Sequence, residues 1–145
     1  MAIRHFLILT TLVLLLYSNL WADEEASNRA YVVSSQYGQC YAKSVPDETY
    51  GPKGTTKVYR VDAKLDILVD TFSWYSHRIF IECNAGSPAD TVGVSVVRLG
   101  PWARGHEASA NDLAIAFYWK GNLLKRYSTL DIAGRPDNVS ASVSH

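Results

Sequence analysis

The chain has 145 residues, 14 basic and 14 acidic side chains, 48% hydrophobic residues and 19% charged ones. That balance excludes a disordered chain, which needs low hydrophobicity and high net charge. It also argues against a nucleic-acid partner, which normally demands a basic excess.

Residues 1–22 have the three-part pattern of a secretory signal peptide. Arg4 and His5 make a short basic start. An apolar run follows from Phe6 to Tyr17, interrupted only by Thr10 and Thr11. Cleavage is expected after Ala22, just before the acidic run Asp23-Glu24-Glu25, although Leu20 departs from the small residue preferred three positions before a cut. The run is shorter than the roughly 20 residues of a spanning helix, and no later stretch reaches that length. The sequence therefore predicts a secreted or periplasmic protein with no membrane span after cleavage. It divides into a signal peptide (1–22), one β domain (23–133) and a disordered polar tail (134–145). A domain of roughly 120 residues buries about two-thirds of its unfolded surface and does not need cross-links to fold.

From Tyr31 to Ile132, short runs rich in Val, Ile, Tyr and Phe alternate with Gly, Pro, Asn and Asp, the signature of all-β structure. Strands are predicted over 36–44, 55–62, 64–73, 78–84, 92–99, 112–120 and 122–132, with a short extra one over 31–35. In 92–99, Val92, Val94 and Val96 share one face and Val97 and Leu99 the other, which suits a central strand. In 112–120, a period of two puts Leu113, Ile115, Phe117 and Trp119 on the expected core face. In 122–132, Lys125, Tyr127 and Asp131 face away from Leu124, Arg126, Ser128, Leu130 and Ile132, as on an edge. Asp62-Ala63 and Gly121-Asn122 suit tight hairpin turns. The expected fold is a single-domain antiparallel meander of about seven strands, closing into a barrel or a sandwich.

Cys40 and Cys83 are the two cysteines. In an oxidising compartment they suit a bridge, which would close a loop of about 43 residues and stabilise by roughly 4 kcal/mol on the chain-entropy estimate. The alternative is two small buried thiols.

Catalytic signatures are missing. There is no G-x-S-x-G, no H-E-x-x-H, no phosphate loop and no calcium loop, and His77 and His106 lack zinc-ligand spacing. No catalytic residue, cofactor or metal is assigned, and the balance favours a protein that is not an enzyme.

In a meander, successive connections alternate between two ends. The connections 45–54, 74–77 and 100–111 should share one end, rich in the residue types of binding hot spots. Trp74, Tyr75, His77, Arg78, Trp102, Arg104 and His106 are the candidate ligand-binding residues there, for a protein, peptide or glycan partner. The competing reading makes Trp74 and Trp102 plugs of the core. Two other functions stay open: a small hydrolase or lyase using His106 and His77 with a carboxylate, and an envelope-assembly module pairing through an edge strand.

The segments Trp74-Tyr75-Ser76, VVRLGPWARG (96–105), LAIAFYWKGNLLKRYSTLDI (113–132) and YAKSVPDETYGPKGTTKVYRV (41–61) resemble a group of small secreted bacterial proteins with no assigned activity. The resemblance covers about residues 38–132. It implies export and one β-rich domain, carries over no catalytic residue, and does not bear on the cysteines.

Overall fold

The computed structural model describes residues 27–83, 93–101 and 107–138. The predicted signal peptide, the 84–91 loop, Trp102, Arg104, His106 and the end of the tail lie outside the described residues. Eight strands run in chain order: β1 (Tyr31–Ser34), β2 (Cys40–Pro46), β3 (Gly54–Arg60), β4 (Ile67–Phe72), β5 (Ile79–Cys83), β6 (Val94–Leu99), β7 (Leu113–Trp119) and β8 (Asn122–Ser128). They form two antiparallel four-stranded sheets, ordered β1-β2-β3-β4 and β5-β6-β7-β8. The protein is all-β apart from α1 (Thr129–Ala133) and a 3-10 turn at Pro136–Asn138. Each sheet is a meander, and among the described residues no ladder joins one sheet to the other, so no closed barrel forms.

Alternation builds the shared core. Cys40, Ala42 and Ser44 point inward from β2, and Gly54, Thr56 and Val58 from β3. They meet Ile79, Ile81 and Cys83 of β5 and Val94 and Val96 of β6. Valine is the largest side chain among the fully buried ones, so the sheets approach closely on this side. The Cys40–Cys83 disulfide joins β2 to β5 with a Cα separation of 6.1 Å, which settles the two open readings of the cysteines in favour of the bridge. On the other side the gap is filled by large rings. Phe72 stacks on Trp74 at 5.0 Å between centroids, and Tyr118 of β7 meets Phe72 at 4.9 Å.

That filling reverses the expected face of β7. Ala116 is the buried residue of the strand, and Tyr118 packs on the core. Leu113, Ile115, Phe117 and Trp119 lie on the opposite, half-buried side. Tyr118 joins the Phe72–Trp74 cluster from this face and Ala116 sits beside it, a tertiary constraint that periodicity alone does not carry.

The other differences have local causes. Residues 36–39 are a turn, with Gly38 at a φ of 69°, so β2 begins at Cys40. The connection after β3 is longer than a two-residue hairpin: Asp62 Oδ1 accepts the Lys64 N–H, and Tyr41 Oη donates to Asp66 Oδ2. The last hairpin turns one residue earlier than expected. Trp119 pairs with Asn122, and Lys120 and Gly121 both have positive φ, at 46° and 74°, as a type I′ turn requires.

The predicted last strand stops at Ser128. Ser128 caps α1: its Oγ accepts the Asp131 N–H, and the Asp131 carboxylate accepts the Ser128 N–H. This is the capping box, legible in Ser128-Thr129-Leu130-Asp131. Residues 134–138 are not free tail. The Pro136 carbonyl accepts the Ala108 N–H, and Asn138 Nδ2 donates to the Ala133 carbonyl.

Candidate binding site at the loop end

The 47–53 and 73–78 connections and the end of β6 do meet. Tyr75 N–H donates to the Pro52 carbonyl at 2.8 Å, and Leu99 N–H to the Arg78 carbonyl at 2.9 Å. Ser76 Oγ lies 3.2 Å from both the Arg78 and the Leu99 carbonyls.

A relay of hydroxyls fixes the turn that carries Trp74, Tyr75 and Ser76. Ser76 N–H donates to Ser44 Oγ at 3.0 Å. Ser44 Oγ and Thr56 Oγ1 are 2.7 Å apart, and Thr56 Oγ1 donates to the Trp74 carbonyl at 2.8 Å. A hydroxyl has one proton. Thr56 spends its proton on Trp74, so Ser44 must donate to Thr56. The chain of bonds runs one way, from the Ser76 amide through two buried hydroxyls to the Trp74 carbonyl. Alternation places both hydroxyls inward, paired across β2 and β3.

Two of the candidate ligand-binding residues are thereby committed to the interior. Trp74 is 8% exposed and Tyr75 4%. Tyr75 Oη donates to the Arg29 carbonyl at 2.8 Å. Trp74 is covered by Phe72, by Tyr118 and by the Arg98 guanidinium, 4.7 Å from its ring centroid. Neither ring has a free face for a ligand. His77 is exposed and Arg78 half-buried. Partial burial and then the Arg78 charge lower the His77 pKa, and no carboxylate contributes to that shift. Trp102, Arg104 and His106 lie outside the described residues.

The open space lies beside them. A cavity of about 390 Å³ is lined by Pro52, Pro101, Leu113 and Leu123 as apolar walls, by Ala116 and Tyr118 on the sheet, and by Arg98, Asn111, Asp112 and Arg126 as polar groups. Sheet register brings the two arginines together. Arg98 of β6 pairs with Ala116 of β7, which pairs with Arg126 of β8. Directly paired residues share a face, so both cations stand on one side with only a methyl group between them.

Arg98 is poorly satisfied for a half-buried cation. Its Nη2 donates to the Tyr75 carbonyl at a long 3.4 Å, and it also bonds the Tyr118 hydroxyl. Its Nε is buried without a partner. Burial lowers its pKa, the Tyr118 contact opposes that, and the Arg126 charge lowers it further. Among the described residues neither arginine forms an ion pair within 4 Å.

The sequence carried a signal for Arg98. It continues the inward series Val94, Val96 at a period of two, which puts a cation on a core-facing register. Arg126 gave less, because it lies on an exposed edge strand where charge is ordinary. Asn111, Asp112 and Pro52 come from connections whose meeting point depends on the whole topology.

A second cavity, of about 690 Å³, lies at the opposite end, between Tyr37, Arg60, Ile67, Leu68 and Val94 among others. None of the buried polar atoms without a partner belongs to its lining. Among the described residues no cluster of His, Cys, Asp and Glu is placed to hold a metal ion. Comparison with family models, curated proteins and solved structures finds no match to this chain.

Proposed function

We propose that the chain is an exported, non-enzymatic binding domain whose ligand enters the cavity between β6, β8 and the 47–53 connection. The observation that carries this reading is the Arg98–Arg126 pair. Two cations, Arg98 half-buried and Arg126 exposed, line one face of one cavity, and among the described residues neither forms an ion pair within 4 Å. Export is supported by the apolar N-terminal run and by the disulfide, which suits an oxidising compartment. The resemblance to small secreted bacterial proteins agrees with export. We also infer that the two sheets act as an open sandwich, leaving this end of the inner face uncovered by β1–β4.

The test uses protein purified from cells expressing the full sequence, as bait against the envelope and secreted fractions. A Leu123→Glu variant runs beside it. Leu123 is 51% exposed, so the change leaves the core intact while placing a carboxylate in the cavity mouth. A partner or co-purifying molecule held by the native chain and lost by the variant supports the reading. Equal capture by both places the site elsewhere.

A further inference from the structure

We propose that this cavity binds a monocarboxylate carried on an apolar body, with Arg98 as the anchoring cation and Arg126 as the second. The inference deepens the reading above and rests on it.

The donors set the ligand's charge. Arg98 Nε–H is buried and has no acceptor, while its Nη2 and the Tyr118 contact hold the guanidinium against Trp74. The group is therefore held in orientation; its Nε is closed off from solvent, so an anion in the cavity meets Arg98 through the part of the guanidinium that lines it. Guanidinium edges match the two oxygens of a carboxylate in plane. Arg126 stands two strands away, roughly 10 Å at the backbone, and Ala116 puts only a methyl group between them. Asn111 adds an amide at the rim.

The walls and the rim set the rest. Pro52, Pro101, Leu113 and Leu123 give no donors, so a tetrahedral dianion would leave oxygens facing apolar surface. Asp112 lines the same cavity, and its carboxylate repels a dianion about twice as strongly as a monoanion. A cavity of about 390 Å³ falls at the small end of ligand pockets. The shared chemistry is a free organic acid or the C-terminal carboxylate of a peptide ending in an apolar residue.

The experiment follows the Arg Nε–H and Trp Nε1–H signals by proton–nitrogen NMR on full-length-expressed protein. The probes are hydrocinnamate for a free acid, N-acetyl-phenylalanine for a peptide terminus, the primary amide of each, and inorganic phosphate. The Arg98→Lys variant assigns the Arg98 signal by its loss. Both carboxylates should move that signal downfield, with the amides binding at least about tenfold more weakly, equivalent to about 1.4 kcal/mol. Arg126→Gln, an exposed change, should weaken carboxylate binding about fivefold or more and leave the spectrum otherwise native. A response to one carboxylate but not the other selects between free acid and peptide terminus and supports the proposal. Equal binding of acids and amides overturns the carboxylate inference while leaving a ligand site in place. Stronger binding of phosphate overturns it as well. If no probe moves Arg98, the inference falls, and the Leu123→Glu comparison alone decides whether this end binds anything.

Discussion

Replacing Thr56 with valine tests the one-way hydroxyl relay. Valine keeps the shape and removes the Oγ1 that both accepts from Ser44 and donates to the Trp74 carbonyl. Ser44 would still accept the Ser76 N–H, but its proton would have no acceptor, and the Trp74 carbonyl would lose its donor. Each orphaned buried group costs about 1–3 kcal/mol. The added methyl offsets part of that, leaving a net loss of about 2–3 kcal/mol. With a urea m-value of about 1–3 kcal/mol/M for a domain of this size, the unfolding midpoint should fall by about 0.7–3 M at unchanged slope. Thr56→Ser keeps the hydroxyl and loses one buried methyl, for about 1 kcal/mol. The comparison isolates the relay: a Thr56→Val loss no greater than that of Thr56→Ser refutes the directed chain. The turn also aims the Tyr75 carbonyl at Arg98, so the valine variant should broaden or shift the Arg98 Nε–H signal where the serine variant does not.

Gly100→Ala should destabilise by roughly 2–4 kcal/mol, because the new methyl would fall 1.6 Å from the Leu113 carbonyl oxygen and break the Gly100 N–H to Ala114 bond; thermal unfolding checks this against Gly38→Ala, whose site is open and whose cost is the roughly 1–2 kcal/mol of left-handed backbone. Asp70 supplies a pH prediction. Burial raises its pKa, a bond from the Gly121 N–H opposes the rise, and its second oxygen has no partner. The folded state thus holds the Asp70 proton more tightly than the unfolded one. That contribution is full below the unfolded carboxylate range and is lost as pH rises through the folded value. Asp70→Asn should therefore melt higher than the native chain at pH 7, with the gap closing toward pH 3; a lower melting temperature at neutral pH would refute the burial account.

The strands were legible where side-chain chemistry and burial agree. In residues 94–99, Val94 and Val96 are buried and the others half-buried, and the strand sits centrally between β5 and β7, as its two-sided pattern implies. The β7 face was legible only as a period, since which of two apolar faces turns inward depends on Phe72 and Trp74 arriving from the other sheet. The capping box at Ser128 was readable but competed with Leu130 and Ile132, whose strand preference is strong in isolation. At the site, the meander's alternation brought the 47–53 and 73–78 connections and the end of β6 together, while the burial of Trp74 and Tyr75 followed from hydroxyls 18 to 32 residues upstream. No local pattern around the Trp-Tyr-Ser turn encodes those partners.

The Cys40–Cys83 bond has a topological consequence. Together with the backbone between its ends it makes a covalent ring, and that ring contains β2 to β5, drawn from both sheets. A single peptide cut anywhere in the 47–53, 61–66 or 73–78 connections opens the ring without releasing a fragment. The severed ends stay registered by intact ladders on either side and can remain a folded unit. If the chain is exported as proposed above, the connections that shape the cavity can be nicked by proteases there while the two sheets remain one molecule.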